Sequence, residues 1–203
     1  MRCAGICVLA HAIIESSRMT NAIASNAHTQ VITLGGGCFW CTEAVFVRVK
    51  GVLDVESGYC NGQTLKPTYA DVCTGETGHN EVVRLVYDPS VISLRELLEI
   101  FFVIHDPTTL NRQGNDAGTQ YRSGIYLSDE ADREVAQQVL DEVNSALSGR
   151  VVTELKTLHN YSAAEDYHQD YFEHNPHQGY CAFVVAPKVQ KFVQTFAGKV
   201  RHD

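Results

Sequence analysis

The stretch Gln30-Val31-Ile32-Thr33-Leu34-Gly35-Gly36-Gly37-Cys38-Phe39-Trp40-Cys41 decides how this chain folds. Val31 to Leu34 is a short apolar run of the kind that makes a buried strand, and the glycines after it punctuate the pattern. From Phe39 the period changes: Phe39, Glu43 and Phe46 recur at helical spacing, and Lys50-Gly51 stops the helix near Val49. Cys38 therefore stands where a strand gives way to a helix. A thiol there meets unpaired backbone amides and the positive end of the helix dipole, both of which favour thiolate. The glycines permit a tight turn and leave the sulfur uncovered by neighbouring Cβ atoms.

Outward from this junction, strands and helices alternate. Val52 to Ser57 reads as a strand, and Gly58 to Asn80 as a long loop rich in Gly, Thr, Tyr and Cys; loops of this length inside one domain are usually functional. Glu81 to Tyr87 reads as the next strand. Ser93-x-x-Glu96 is a capping box, in which each side chain satisfies a free amide; it opens a helix over Leu94 to Ile104, ended by His105-Asp106-Pro107. A second irregular stretch, Asp106 to Arg122, leads to a strand over Ser123 to Leu127. Ser128 caps a helix to about Leu147, closed by Ser148-Gly149. Val151 to Thr157 reads as a strand, Ser162-x-x-Glu165 as a second capping box opening a helix to Glu173, and Pro187 as the start of a last helix. The pattern is α/β or α+β with two long loops.

The 203 residues suit one domain. A net charge of -8 with no Lys/Arg-rich stretch opposes binding to nucleic acid or an anionic membrane and points to a small or neutral substrate. Seven cysteines is an odd number in a chain too long to need staples, which argues against a secreted disulfide scaffold and leaves at least one thiol free or transiently used. The apolar run Ala4 to Ile14 loosely resembles a signal-peptide core, but His11 interrupts it and no convincing cleavage pattern follows. Met19 as the start, followed by a polar lead-in, is the simpler reading, and a cytoplasmic protein the expectation. Residues 1–29 are expected to be a poorly ordered or mis-assigned extension, 30–198 a single domain and 199–203 a tail; whether Lys188 onwards docks as a helix stays open.

Several chemistries compete for Cys38. A buried inert cysteine is the ordinary fate of the residue type, but the glycines and the helix start weigh against it. Cys38-x-x-Cys41 has the spacing of a thiol-disulfide exchange motif. Zinc would want a second close pair, whereas Cys60 and Cys73 lie far apart in sequence and no other Cys-x-x-Cys exists. The glycines fit neither Gly-x-Gly-x-x-Gly nor a Lys-ended phosphate loop. Glu165-x-x-His168 on a helix could ligate a metal, but with no second copy it reads as packing and hydrogen bonding.

Gly-Cys-Phe-Trp at 37–40, Pro-Thr-Tyr at 67–69, Thr-Gly-His-Asn-Glu at 77–81, Tyr-Asp-Pro at 87–89, Gly-Asn-Asp-Ala-Gly-Thr-Gln-Tyr-Arg-Ser at 114–123 and Ala-Glu-Asp-Tyr-His-Gln-Asp-Tyr at 164–171 follow one another along the chain. Together they resemble the A-type peptide methionine sulfoxide reductases from about Val31 to Lys191. The resemblance implies an α+β fold: a two-layer sandwich of a mixed sheet packed by helices, with a ferredoxin-like core and long active-site loops. It implies reduction of methionine S-sulfoxide, protein-bound or free, with attack by a Cys38 thiolate that becomes a sulfenic acid. Glu81 matches the acid that protonates the sulfoxide oxygen, a job that needs a dry site holding its pKa well above the usual ~4.3. Tyr69 and Tyr121 match a phenol pair that donates to that oxygen, and Asp116 a polar neighbour. Phe39 and Trp40 match the walls around the substrate's S-methyl group. No metal or bound cofactor is implied; thioredoxin, or dithiothreitol in its place, is the expected reductant, and the protein is expected to be a monomer.

The resolving thiol is where the chain departs from the pattern. Asn175-Pro176 through Gly179-Tyr180-Cys181 resembles the segment carrying a resolving cysteine in many members, but Ala-Phe-Val-Val-Ala-Pro-Lys follows here in place of a flexible glycine-rich tail. Cys41 stands where many members have Gly, one helical turn from Cys38. Motif position favours Cys181, with Cys41 the alternative. Cys60 and Cys73 read as inert, and Cys3 and Cys7 as uninvolved.

Overall fold

In the computed structural model, which describes residues 29–202, the opening strand β1 spans Gln30–Gly36 and so runs through two of the glycines expected to end it. The expectations for residues 1–28, including the apolar run and the Met19 start, lie outside the described residues. Gly35 and Gly36 pair with Gly124 and Ser123. A Cβ on Gly35 would sit 2.2 Å from the Asn80 side chain, so the close approach of strands explains why the run continues without side chains. The helix α1 (Phe39–Phe46) follows, then β2 (Val52–Cys60), α2 (Tyr69–Cys73), β3 (Asn80–Tyr87) and α3 (Leu94–Ile104). A two-stranded hairpin, β4 (Arg112–Gln113) and β5 (Asp116–Ala117), and a 3-10 turn Thr119–Tyr121 lead to β6 (Ser123–Leu127). After α4 (Arg133–Ala146) come β7 (Glu154–Thr157), β8 (Ser162–Ala163), a 3-10 turn Asp166–His168, α5 (Tyr171–His174) and α6 (Ala186–Thr195).

The main sheet has six strands in the order β7-β6-β1-β3-β2-β8. All pairs are antiparallel except β6 with β7. The units β1-α1-β2 and β3-α3-β6 interleave in that order, giving a ferredoxin-like α+β core. Alternation along each strand sorts the side chains onto two faces. Ile32, Leu34, Val83, Leu85, Ile125 and Leu127 join the main core under α1 and α3, while Cys60, Val82 and Tyr126 form a small cluster on the other face. Seven of the eight α1 residues are buried, Trp40 only partly, so this is a central helix and not an amphipathic surface one.

Several expected elements differ. The long loop at 58–80 contains the end of β2 and a short helix, α2, opened by a Thr68/Asp71 capping box. α4 begins at Arg133, after a 3-10 turn in which the Ala131 N–H is capped by Asp129 and not by Ser128. The helix expected from Ser162 is absent: Ser162 and Ala163 pair with β2, and the Glu165 carboxylate bonds the distant Tyr69 N–H and Tyr59 hydroxyl. Long-range partners outcompeted the local capping box. Pro187 lies in the first turn of α6, as expected, but the chain enters it through a π-helical turn, Cys181–Val185. The expected tail at 199–203 is held to the domain as far as Arg201: Val200 bridges Val49, and Arg201 N–H donates to the Arg48 carbonyl. No helix among the described residues is long and apolar enough to cross a membrane.

Candidate active site

Cys38 is the N-cap of α1, as its sequence position required, and is 8% exposed. Gly37 before it has φ +91°, a left-handed conformation that a side chain would strain. Period-two alternation from Val83 and Leu85 puts Glu81, at the head of β3, on the helical face of the sheet. There its Oε2 accepts the Phe39 N–H at 3.2 Å, so the carboxyl is joined to the first turn of the helix that Cys38 caps. Burial holds the Glu81 pKa up at about 8, against the pull of that amide, with Asp116 and Cys41 adding to the rise. At neutral pH the group is a carboxylic acid.

The two long loops bring the remaining residues in. α2 supplies Tyr69, the hairpin Asp116 and the 3-10 turn Tyr121. Both phenols are half-buried, and burial followed by neighbouring acids and thiols raises their pKa, so each keeps its proton to donate. Phe39 is buried in the core, and Trp40 stacks on Tyr171 with ring centroids 3.7 Å apart. Phe39, Cys41, Asp116, Tyr69 and Tyr121 thus touch, or are electrically felt by, Cys38 or Glu81, while Cys181 is felt only through Cys41.

The thiols differ from expectation. Burial, the Cys41 thiol and then the Glu81 charge raise the Cys38 pKa, and these outweigh the helix terminus that was expected to lower it. Cys41 instead is held down at about 7 by the hydrogen bond from the Cys38 thiol, against its own burial. Cys41 is therefore the thiol on which Cys38 acts most strongly. Cys181 is fully buried in the core and feels Cys41; burial raises its pKa. Cys60 belongs to the cluster on the opposite face of the sheet, which removes it from any grouping with Cys38 and Cys41. Among the described residues, no group of three or more His, Cys, Asp or Glu is arranged to hold a metal ion.

One residue was missed. Tyr180 donates from its hydroxyl to Asp116 Oδ2 at 2.5 Å and stands 4.0 Å from the Cys41 sulfur, with its ring edge-on to Trp40 at 5.9 Å. Its signal in the sequence is its place beside Cys181 in Gly179-Tyr180-Cys181. A cavity of about 400 Å³, lined by Gln113 to Asp116, Tyr180, Phe183, Val184 and Lys188, opens next to it.

A buried thiol pair, a neutral carboxyl and two protonated phenols around one helix start form a site that can attack an electrophilic atom and protonate its oxygen. Known proteins share both the sequence and the frame. The family model described as peptide methionine sulfoxide reductase matches residues 30–200. The peptide methionine sulfoxide reductase MsrA of Saccharolobus solfataricus is 55% identical over 172 residues, covering 85% of this chain and 97% of that protein. Mxr1 from Saccharomyces cerevisiae in reduced form has a TM-score of 0.71 at 40% identity, covering 77% of this chain and 91% of that one. Mxr1 in complex with Trx2 is also similar, with a TM-score of 0.50 at 29% identity over 72% of this chain and 87% of that one. Since the match takes in every strand and loop that builds the site, this chain belongs to the peptide methionine sulfoxide reductase family, on its MsrA side.

Proposed function

We propose that this chain reduces methionine S-sulfoxide, protein-bound or free, to methionine through Cys38. The observation that carries the reading is the Phe39 N–H bond to Glu81 at 3.2 Å, which seats a proton-bearing carboxyl at the start of the helix that Cys38 caps. A sulfoxide oxygen leaves sulfur only if it is protonated as the sulfur is attacked. The Cys38 sulfur donates its electron pair to the sulfoxide sulfur while Glu81 delivers a proton to the oxygen, and Tyr69 and Tyr121 donate hydrogen bonds to it. Phe39 and Trp40 enclose the methyl group. The S–O bond breaks as the S–S bond forms; the released hydroxide then attacks the Cys38 sulfur and methionine leaves with the S–S electron pair, so Cys38 ends as a sulfenic acid, oxidised by two electrons while the sulfoxide is reduced by two. Simple disulfide exchange would need none of Glu81, Tyr69 and Tyr121.

Cys41 then attacks the sulfenic sulfur, forming a Cys38–Cys41 disulfide and releasing water; its place one turn along α1 from Cys38 and its lowered pKa support this order over direct attack by Cys181. A thioredoxin dithiol reduces the disulfide, in keeping with the complex of Mxr1 with Trx2. The experiment is single-turnover and steady-state consumption of the two epimers of a methionine sulfoxide peptide. Only the S epimer should disappear, and Cys38→Ser should abolish its turnover; full activity in that variant rejects the reading. Peptide mapping after one turnover without reductant should find the Cys38–Cys41 bridge. A Cys38–Cys181 bridge would exchange the resolving thiol, and neither bridge would remove both.

A further inference from the structure

Glu165-x-x-His168, set aside as a metal pair, does something else in the fold. The indole Nε1–H of Trp40 donates to His168 Nδ1 at 3.1 Å. With Nδ1 accepting, the neutral ring must carry its proton on Nε2. That atom is buried without a partner and faces Glu165 Oε2 at 4.0 Å, beyond hydrogen-bond reach. Glu165 is committed elsewhere: Oε1 accepts the Tyr69 N–H at 2.8 Å and Oε2 accepts the Tyr59 hydroxyl at 3.0 Å. The His168 ring also lies 5.0 Å from Phe39 and 4.5 Å from Tyr69, centroid to centroid. A single 3-10 turn therefore grips Trp40 by its indole N–H and the first residue of α2 by its backbone.

We infer that His168 is a positioning residue for sulfoxide reduction: as the Nε2–H tautomer it fixes the Trp40 indole, and Glu165 on the same turn fixes α2, so that the methyl cage and the Tyr69 hydroxyl keep one spacing. Protonating the ring would place a hydrogen on Nδ1, facing the indole N–H, and the grip on Trp40 would fail. Burial opposes that by lowering the imidazole pKa, though Glu165 pulls the other way. Tyr171 holds the indole by stacking and Tyr180 by an edge contact, neither of which is directional like the hydrogen bond to His168.

The role rests on the reductase reading, and the tests separate the two. Nitrogen-resolved imidazole spectra of the wild-type protein should show His168 as the Nε2–H tautomer; an Nδ1–H ring overturns the inference, with no variant needed. His168→Phe keeps a ring and removes the acceptor, leaving the indole N–H unpaired. KM for an S-sulfoxide peptide should rise roughly tenfold, with kcat within about threefold of wild type. Trp40 is the chain's one tryptophan, so its emission and its quenching by acrylamide report directly on the cage and should change together with KM. His168→Asn returns an acceptor oxygen near the place of Nδ1 and should bring KM back to within about threefold of wild type, with near-native emission. Unchanged KM and emission in the Phe variant, or equal losses in both variants, overturn the role. A wild-type protein with the expected tautomer that consumes no sulfoxide would refute the reductase reading and leave the tautomer standing.

Discussion

Glu81 and Cys38 answer to one another. Burial raises both groups and the Glu81 charge further raises the cost of the Cys38 thiolate, so the site resists holding a carboxylate and a thiolate together, and the reactive form has one proton, on Glu81. As pH rises toward about 8 the pair loses its first proton, and the fraction in the reactive arrangement grows and then levels off. Wild-type kcat/KM for the S-sulfoxide should therefore climb with pH and flatten near 8. In Glu81→Gln the flattening should vanish, with the rate still climbing toward the raised Cys38 pKa, and activity at neutral pH should fall by roughly 10²–10³-fold. A variant profile that still flattens near pH 8 would show that Glu81 does not hold the essential proton. The residue types at this site were legible because each sits in a distinctive short motif. The balance of burial against the helix terminus at Cys38 was not, because burial comes from the core packed around α1, which distant segments of the chain supply.

The β1–α1 junction is the element that makes the site. Gly37 at φ +91° lets β1 end and Cys38 cap α1 within one residue, and a Cβ there would lie 2.6 Å from Gln113 of β4. Gly37→Ala should cost roughly 1–3 kcal/mol through strain and overpacking. It should also lower kcat at least tenfold, because relief of the clash moves either the thiol or the hairpin that carries Asp116. Thermal melts and the epimer assay check both, and native values in both would remove the junction argument. The glycine run, the Ser93 capping box and the strand–helix alternation were all readable, since each depends on neighbours within a few residues. The second capping box misled because Ser162 and Glu165 found partners on β2 and α2, roughly a hundred residues earlier. α2 itself was hidden in a glycine-rich stretch too short to show a helical period, although Thr68 and Asp71 carry its cap.

At the scale of the molecule, α1 is surrounded, and its Glu43 is the telling consequence. The side chain is buried, with Oε1 accepting from the Ser57 hydroxyl and Oε2 from the Tyr171 N–H, and burial raises its pKa to about 7. A carboxyl whose folded pKa exceeds its unfolded value of ~4.3 binds its proton more tightly in the folded protein, so it costs stability as pH rises through that interval. Glu43→Gln can keep both contacts, donating to Ser57 and accepting from Tyr171. Relative to wild type it should gain stability between about pH 4.5 and 7, on the order of 1–3 kcal/mol in total, and nothing further above. Urea unfolding across that range tests it, and parallel curves for the two proteins would refute it. By itself, the sequence determined the order of the elements, the thiol at a helix start and the family, because these rest on local periodicity and on short motifs. Only the tertiary structure decided that Cys38 acts on Cys41 while Cys181 is sunk in the core, that Tyr180 and His168 stand against Trp40, and that Cys38 is raised and not lowered. Each of those depends on which distant segments the closed sheet and its helices press together, and on how much water they exclude.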